Sequence, residues 1–306
     1  MGITLTGATG RIGRSLVAAL QARGEAVTVL TRNPERARQT LGQSIDAHRW
    51  DAKTEPAPAE ALAGRSAVLH LAGEDVGQRW TDEVKREIAE SRELGTRHLV
   101  EGIRALDAAD RPATLVSASA SGIYGDRGDQ TIDESAAPDA GWLAQVCVAW
   151  EREADAAEAL GVRVVKLRTG VVLDAEGGAL GKMLLPFKLG IGGPVAGGKQ
   201  YLPWIHRDDV VGLYLAAIDS DACRGAINTS APNPVTNKEF SKALGKALHR
   251  PAFSPVPGPA IKLLFGEMGQ IVTGGVRMVP KRALDLGYAF EHPEIQEALR
   301  DTLAKG

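Results

Sequence analysis

The chain has 306 residues, 44% of them hydrophobic, with 36 Lys and Arg against 38 Asp and Glu, which supports one large domain or a domain with a smaller lobe. The near-balanced charge and the lack of a sustained basic run argue against a nucleic-acid partner, and no apolar run approaches the ~18 residues of a membrane span. A soluble, cytoplasmic chain with no membrane partner is expected, with no disulfide framework, because Cys147 and Cys223 form no CxxC pair, and no metal site, because the histidines form no HExxH-type ligand set. In chain order, Ile3-Thr4-Leu5 reads as a strand, followed by a helix from about Ile12 to Arg23 that Gly24 stops. Ala26–Leu30 is the second strand, a third ends near Asp51, and Ala67–Leu71 is the fourth. A long helix spans Thr81 to Leu106. Thr114–Ser117 is a strand, a helix follows near Ala144 to Leu160, and Val162–Leu167 is the next strand. Strands alternating with helices predict right-handed βαβ units and a parallel sheet, a Rossmann-type doubly wound α/β fold. After Leu173 the texture becomes glycine-rich, so residues 1–173 are expected to form the main domain. Residues 174–306 are expected to form a smaller C-terminal α/β lobe, with some later segments returning to the first.

The run Gly7-Ala8-Thr9-Gly10-Arg11-Ile12-Gly13 joins the first strand to the first helix. GxxGxxG alone is a weak signal, but between a strand and an amphipathic helix it acquires a mechanism. Its glycines let the backbone approach a diphosphate, which then sits on the N–H groups and positive dipole end of the helix. The second strand ends in Thr31-Arg32, with Arg36 and Arg38 following. An Asp or Glu there would hydrogen-bond a ribose 2′-hydroxyl and repel a phosphate, whereas a guanidinium pairs with a 2′-phosphate. NADP(H) is therefore the expected cofactor, held by Gly7, Thr9, Gly10, Arg11, Ile12, Gly13, Thr31 and Arg32. A solvated turn charge is the alternative for Arg32.

These residues, with His70-Leu71-Ala72-Gly73, Ile123-Tyr124-Gly125 and Trp204-Ile205-His206-Arg207-Asp208-Asp209-Val210, resemble the extended short-chain dehydrogenases/reductases, whose members often act on nucleotide sugars. Leu184-Leu185-Pro186-Phe187, Gly192-Gly193-Pro194, Asn228, Ala231-Pro232-Asn233-Pro234 and Gly266-Glu267-Met268 narrow the resemblance to the epimerase-like atypical subgroup, over essentially the whole chain. The resemblance implies that Leu71, Ala72 and Gly73 pass beside the adenosine or ribose, that Glu87 and Arg92 contact NADP, and that Asp51 meets the adenine. An exposed helix pair and a turn residue are the plainer readings of those last three.

Reductases of this superfamily use Tyr-x-x-x-Lys, a spacing that puts both side chains on one helix face so that the ammonium lowers the tyrosine pKa. Here the residues four beyond Tyr124, Tyr201, Tyr214 and Tyr288 are Gly128, Ile205, Ile218 and His292. The expected helix carries Leu143, Cys147 and Glu151 instead, so the usual proton relay is absent in either register. Two candidate catalytic groups remain: Ser119, near the carboxyl end of a strand, as a hydrogen-bond donor to substrate, and Tyr124 as a phenol. Cys147 is either a weak acid or an inert core thiol. His70 and His206 read better as satisfied structural histidines than as bases. Lys166 and Arg168 lie on one strand, where one of them can face the cleft and pair with an anionic substrate. Gly197-Gly198-Lys199-Gln200 reads equally as a phosphate contact or a loop. Two classes of function follow, an NADP(H)-binding epimerase-like oxidoreductase of a small polar, nucleotide-sugar-type substrate, and a non-catalytic NADP(H)-binding sensor or scaffold. Nothing in the sequence sets an oligomeric state.

Overall fold

The computed structural model describes residues 2–305. The first half runs β1 (Gly2–Thr6), α1 (Arg11–Ala22), β2 (Ala26–Thr31), α2 (Pro34–Leu41), β3 (Asp46–Arg49), α3 (Ala59–Leu62), β4 (Arg65–His70), α4 (Asp82–Arg104) and β5 (Thr114–Ala120). It continues with β6 (Thr131–Ile132), α5 (Trp142–Asp155), β7 (Arg163–Thr169), β8 (Val171–Leu173), α6 (Gly178–Lys188), β9 (Tyr201–Leu202), β10 (Trp204–His206), α7 (Arg207–Asp219) and β11 (Gly225–Thr229). The last part holds β12 (Val235–Thr236), α8 (Asn237–Ala247), α9 (Gly258–Phe265), α10 (Gly269–Thr273), β13 (Arg277–Met278), α11 (Lys281–Asp285) and α12 (Ile295–Lys305).

Seven strands form one parallel sheet in the order β3-β2-β1-β4-β5-β7-β11. The order reverses between β1 and β4, the point at which open α/β sheets bind ligands beyond the carboxyl ends of their strands. β1 is buried at every position because helices cover both faces, and its Ile3 and Leu5 join Leu16, Val17 and Leu20 of α1 in one core. Strand and helix bounds differ from the expected ones by a few residues. The fourth strand starts earlier, at Arg65, and the predicted helix to Leu160 breaks after Asp155 into a 3-10 turn. The third strand ends at Arg49, two residues before Asp51.

The segments beyond residue 173 divide between two places. α7 and β11 belong to the main sheet: Val210, Leu213 and Tyr214 pack into the same core as β1, and β11 pairs along β7. A second core forms from Leu180, Leu184 and Phe187 of α6, Trp204, Phe240 and Leu244 of α8, and Leu299 of α12. A polar clamp fastens α12 to α7. The Lys305 ammonium lies 2.9 Å from Asp208 and 2.7 Å from Asp301. His206 caps α7, its Nδ1 accepting the Asp208 N–H at 3.1 Å, so its Nε2 carries the proton toward Asp301, 3.2 Å away.

Candidate functional site

The phosphate loop is built by sterics. Gly7 turns the chain at φ +68°, and a β-carbon there would lie 2.8 Å from the Leu71 backbone. A β-carbon on Gly13 would lie 2.3 Å from the Gly7 carbonyl oxygen. Both glycines are therefore required for the loop to close over the first turn of α1. Gly10 donates its N–H to the Gly7 carbonyl at 3.0 Å and stands at the helix N-cap. No side chain caps α1, and its first turn contains no acid. The first N–H groups of the helix thus remain available for an anion. Thr9, Gly10 and Arg11 are exposed at this turn, while Ile12 packs its side chain onto the core. The Arg11 guanidinium lies 3.6 Å from buried Asp174 and fills the space beside Gly177, linking the loop to the segment after β8.

At the end of β2 the Thr31 hydroxyl accepts the Asn33 N–H, and Asn33 in turn caps α2 by accepting the Arg36 N–H. Arg38 is consumed by the Ala47 carbonyl. Arg32 is exposed, with no ion pair among the described residues. The Arg36 guanidinium is likewise exposed with no ion pair among the described residues, so two guanidinium groups are free where a 2′-phosphate is expected. Asp51 accepts the Lys53 N–H at 3.1 Å in the turn after β3.

His70 ends β4 fully buried. The Thr6 hydroxyl accepts N–H groups from Leu71 and Ala72, both at 3.1 Å, so its own proton goes to His70 Nδ1 at 2.8 Å. His70 Nε2 then donates to Thr96 at 3.0 Å. Burial pushes this imidazole down to about 4, so it stays neutral. His70 is thus a structural group, as the plainer reading has it, and it fixes the Leu71-Ala72-Gly73 segment against the phosphate loop. Gly73 faces Arg92, whose guanidinium carbon would be 3.3 Å from a β-carbon there. Arg92 lies over the Trp150 ring at 5.1 Å and donates to the Ile88 carbonyl, with no carboxylate in ion-pair range among the described residues; burial lowers its pKa. Glu87 is held by the Lys53 ammonium at 2.7 Å, which lowers its pKa.

At the carboxyl ends of β5 and β7 the polar residues satisfy one another. Ser119 donates to Glu151 at 2.6 Å, and both are buried. Arg168 grips the same carboxylate through Nε and Nη2, both at 2.8 Å, and donates from Nη1 to the Tyr124 hydroxyl at 2.9 Å. Tyr124, fully buried, donates to Asn228 at 2.7 Å. Burial opposes the Arg168 charge, but the hydrogen bonds and charge of Glu151 outweigh it, and its pKa is raised. Burial likewise raises the Tyr124 pKa. The structure departs here from the expectation of two free donors. The Ser119 and Tyr124 hydroxyls are spent within the chain, and Arg168 is bound to Glu151 instead of being free for an anionic substrate. Lys166 turns to Asp155 at 2.6 Å. The Glu151–Arg168 pair is not among the contacts expected from the sequence. Its signal was a glutamate on the otherwise apolar face that Leu143 and Cys147 share, opposite an arginine inside a strand.

Leu143 packs 2.7 Å from where a Gly122 β-carbon would stand, and Cys147 lies one turn further along α5. Burial pushes the Cys147 thiol up to about 12, so it stays protonated. The C-terminal segment closes this end. Met268 joins Trp80, with Trp142 and Leu143 packed against them, and Val276 and Met278 cover Ile123, Tyr124 and Cys147.

Among the described residues one group has metal-ligand chemistry: His206, Asp208, His292 and Asp301. The Lys305 ammonium already bridges both carboxylates, and His206 Nδ1 is occupied by a backbone N–H. The cluster is an ion-pair clamp.

The sheet order, the glycine loop at its switch point and the closing C-terminal segment define a dinucleotide-binding α/β protein. Residues 3–228 match the NAD dependent epimerase/dehydratase family, and residues 256–302 match a domain of unknown function, DUF1731. The chain belongs to that epimerase/dehydratase family, in the branch that carries the DUF1731 segment. It is 40% identical over 300 residues to the epimerase family protein SDR39U1 homolog, chloroplastic, of Arabidopsis thaliana, covering 98% of this chain and 86% of the relative. It is 36% identical to the epimerase family protein YfhF of Bacillus subtilis, covering 99% and 98%. The crystal structure of human SDR39U1 (isoform 2) with NADPH superposes with a TM-score of 0.86 at 31% identity, covering all of both chains. Among the described residues, no helix is long and apolar enough to cross a membrane.

Proposed function

We propose that the protein is an NADP(H)-dependent oxidoreductase of the epimerase family, cytoplasmic, acting on a small polar substrate of the nucleotide-sugar type without a tyrosine–lysine relay. The observation that carries this reading is the unspent donor set at the switch point: an uncapped α1 N-terminus behind a loop that only glycine permits, and Arg32 free after β2. A dinucleotide with a 2′-phosphate fits that set. Gly7, Thr9, Gly10, Arg11, Ile12 and Gly13 would hold its diphosphate, Thr31 and Arg32 its 2′-phosphate, and Leu71, Ala72 and Gly73 its adenosine side, with Glu87 and Arg92 completing the set. The human relative that holds NADPH supports the choice of cofactor. When bound, the nicotinamide supplies hydride chemistry. Leu143 and Cys147 stand on the α5 face where the relay is expected, and a thiol pushed up to about 12 takes no part as a base near neutral pH. In this reading Ser119 and Tyr124 are positioning residues that hold Glu151 and Arg168, while the DUF1731 segment keeps water from this end.

Fluorescence titration tests the cofactor assignment. NADPH is expected to bind more tightly than NADH, and Arg32→Ala to weaken NADPH about tenfold to a hundredfold, from a charge-assisted pair of about 1.5–3 kcal/mol. Equal affinity for the two cofactors, or an unchanged NADPH affinity in Arg32→Ala, overturns it. Stopped-flow oxidation of bound NADPH across carbonyl compounds and oxidised nucleotide sugars tests the enzyme assignment. A panel that stays inert while the cofactor remains bound supports the sensor or scaffold instead.

A further inference from the structure

Among the described residues, the large apolar side chains that stand more than half out of the fold are confined to one region: Leu185 (66%), Leu189 (65%), Ile191 (61%), Phe253 (78%), Leu263 (77%) and Leu264 (65%). They come from α6 and the turn after it, from the extended segment 251–256, and from α9. The backbone joins these pieces. Arg250 donates to the Lys188 carbonyl, Ser254 N–H approaches the Gly192 carbonyl at 3.4 Å, and Val195 and Val256 form a bridge. The Arg79 guanidinium reaches the Leu263 carbonyl while Lys182 bonds the Gly77 carbonyl, so α9 and α6 meet the same loop.

The charge on this region departs from that of the chain. Acidic residues slightly outnumber basic ones overall, yet residues 178–200 and 246–266 contain no Asp or Glu. They contain Lys182, Lys188, Lys199, Lys246, Arg250 and Lys262, every one exposed and none in an ion pair among the described residues. The acids that flank these stretches are Asp174, paired with Arg11, and Glu176 before the first and Glu267, which the Lys85 ammonium holds, after the second; Asp75 lies beside Lys182. An apolar patch on a soluble fold marks an interaction surface. Basic side chains around exposed Leu and Phe are the composition of a face that lies in the headgroup layer of an anionic bilayer, with the apolar groups dipping into the acyl boundary.

We propose that residues 178–200 and 246–266 form a docking face for an anionic lipid surface, on which the protein lies without crossing. The absence of an apolar span, which led to the expectation of no membrane partner, bears on crossing alone.

Vesicle flotation of the full chain tests this. The protein is expected to float with phosphatidylcholine vesicles containing one-quarter phosphatidylglycerol, to stay behind with pure phosphatidylcholine, and to be released by high salt. Lys188→Gln and Lys262→Gln are each expected to weaken binding about fivefold. Leu263→Ser with Leu264→Ser is expected to abolish it while NADPH affinity, which reports the fold, is unchanged. A polarity-sensitive dye on Leu264→Cys provides a second readout, since Cys147 and Cys223 are buried; it is expected to shift to the blue with anionic vesicles. Failure to float with anionic vesicles, equal flotation with neutral ones, or a dye shift produced by protein concentration alone, which assigns the face to a second copy, overturns the proposal.

Discussion

The carboxyl edge of the sheet is finished in opposite ways at its two ends. Beyond β1 and β4 the chain leaves donors over: α1 has no side-chain cap and no acid in its first turn, and among the described residues Arg32 has no ion pair and Arg92 has an aromatic face but no carboxylate. Beyond β5 and β7 the chain closes on itself, with Ser119, Glu151, Arg168, Tyr124 and Asn228 joined by bonds of 2.6–2.9 Å. Surplus donors mark a receptor for an anion. A mutually satisfied network marks a rigid wall, whatever residue types it contains. The Ser119 and Tyr124 hydroxyls donate to Glu151 and Asn228, so a place at the end of a strand does not by itself make either a catalytic group.

The strongest way to break this contrast is to remove the arginine from the wall. Arg168→Ala leaves the buried Glu151 carboxylate with the Ser119 hydroxyl and the Lys166 ammonium at 4.0 Å, and a broken buried pair costs about 3–5 kcal/mol. Chemical denaturation is expected to show that loss, and replacing the pair together, Arg168→Met with Glu151→Leu, is expected to restore most of it. If Arg168→Ala leaves stability within about 1 kcal/mol of the parent and instead removes a substrate-dependent activity, the residue faces the substrate and the two ends are alike.

The geometry of the glycine loop was legible in the sequence because its information is local. Three glycines within seven residues, followed by an amphipathic helix and an arginine after the next strand, specify sterics and charge along a continuous stretch of chain. The sheet was legible for the same reason, through the alternation of buried runs with helical ones. The wall was not, because its members come from β5, the turn after it, α5, β7 and β11, and the Tyr124–Asn228 bond spans 104 positions. No pattern of spacing encodes such a contact. Glu87 stood between these cases: its helix was predicted, but its ion pair with Lys53 joins it to the turn after β3.

Protonation offers a second test. His70 supports the cofactor segment and His206 caps α7, and burial pushes both down to about 4. Between the unfolded value of about 6.5 and the folded value, the unfolded chain binds the extra proton. Stability should therefore be flat above pH 6.5 and fall as the pH drops toward 4, by on the order of 3 kcal/mol for each imidazole. In His206→Asn, whose side chain can still cap α7, the acid slope measured by urea unfolding is expected to drop to about half. A parent profile that is flat from pH 7 to 4.5 refutes the buried neutral assignment of both histidines.

The smallest expected effect separates sterics from electrostatics within the receptor itself. At Gly13 a β-carbon would stand 2.3 Å from the Gly7 oxygen and 2.7 Å from the Ala8 α-carbon, both rigid backbone atoms, whereas at Gly10 the nearest contact is 3.1 Å. Gly10 also keeps an ordinary extended conformation, φ −70° and ψ 173°, so alanine there needs only a small shift. Gly13→Ala must push the loop off the helix, at a cost of about 1–3 kcal/mol, and NADPH affinity is expected to fall about tenfold to a hundredfold. Gly10→Ala is expected to change it only a few-fold, because the N–H groups that face the anion keep their direction. If the two variants bind NADPH equally, the close packing of loop on helix does not set the receptor's geometry. The helix N-terminus alone then accounts for binding, with the side chains after β2 left to select between cofactors.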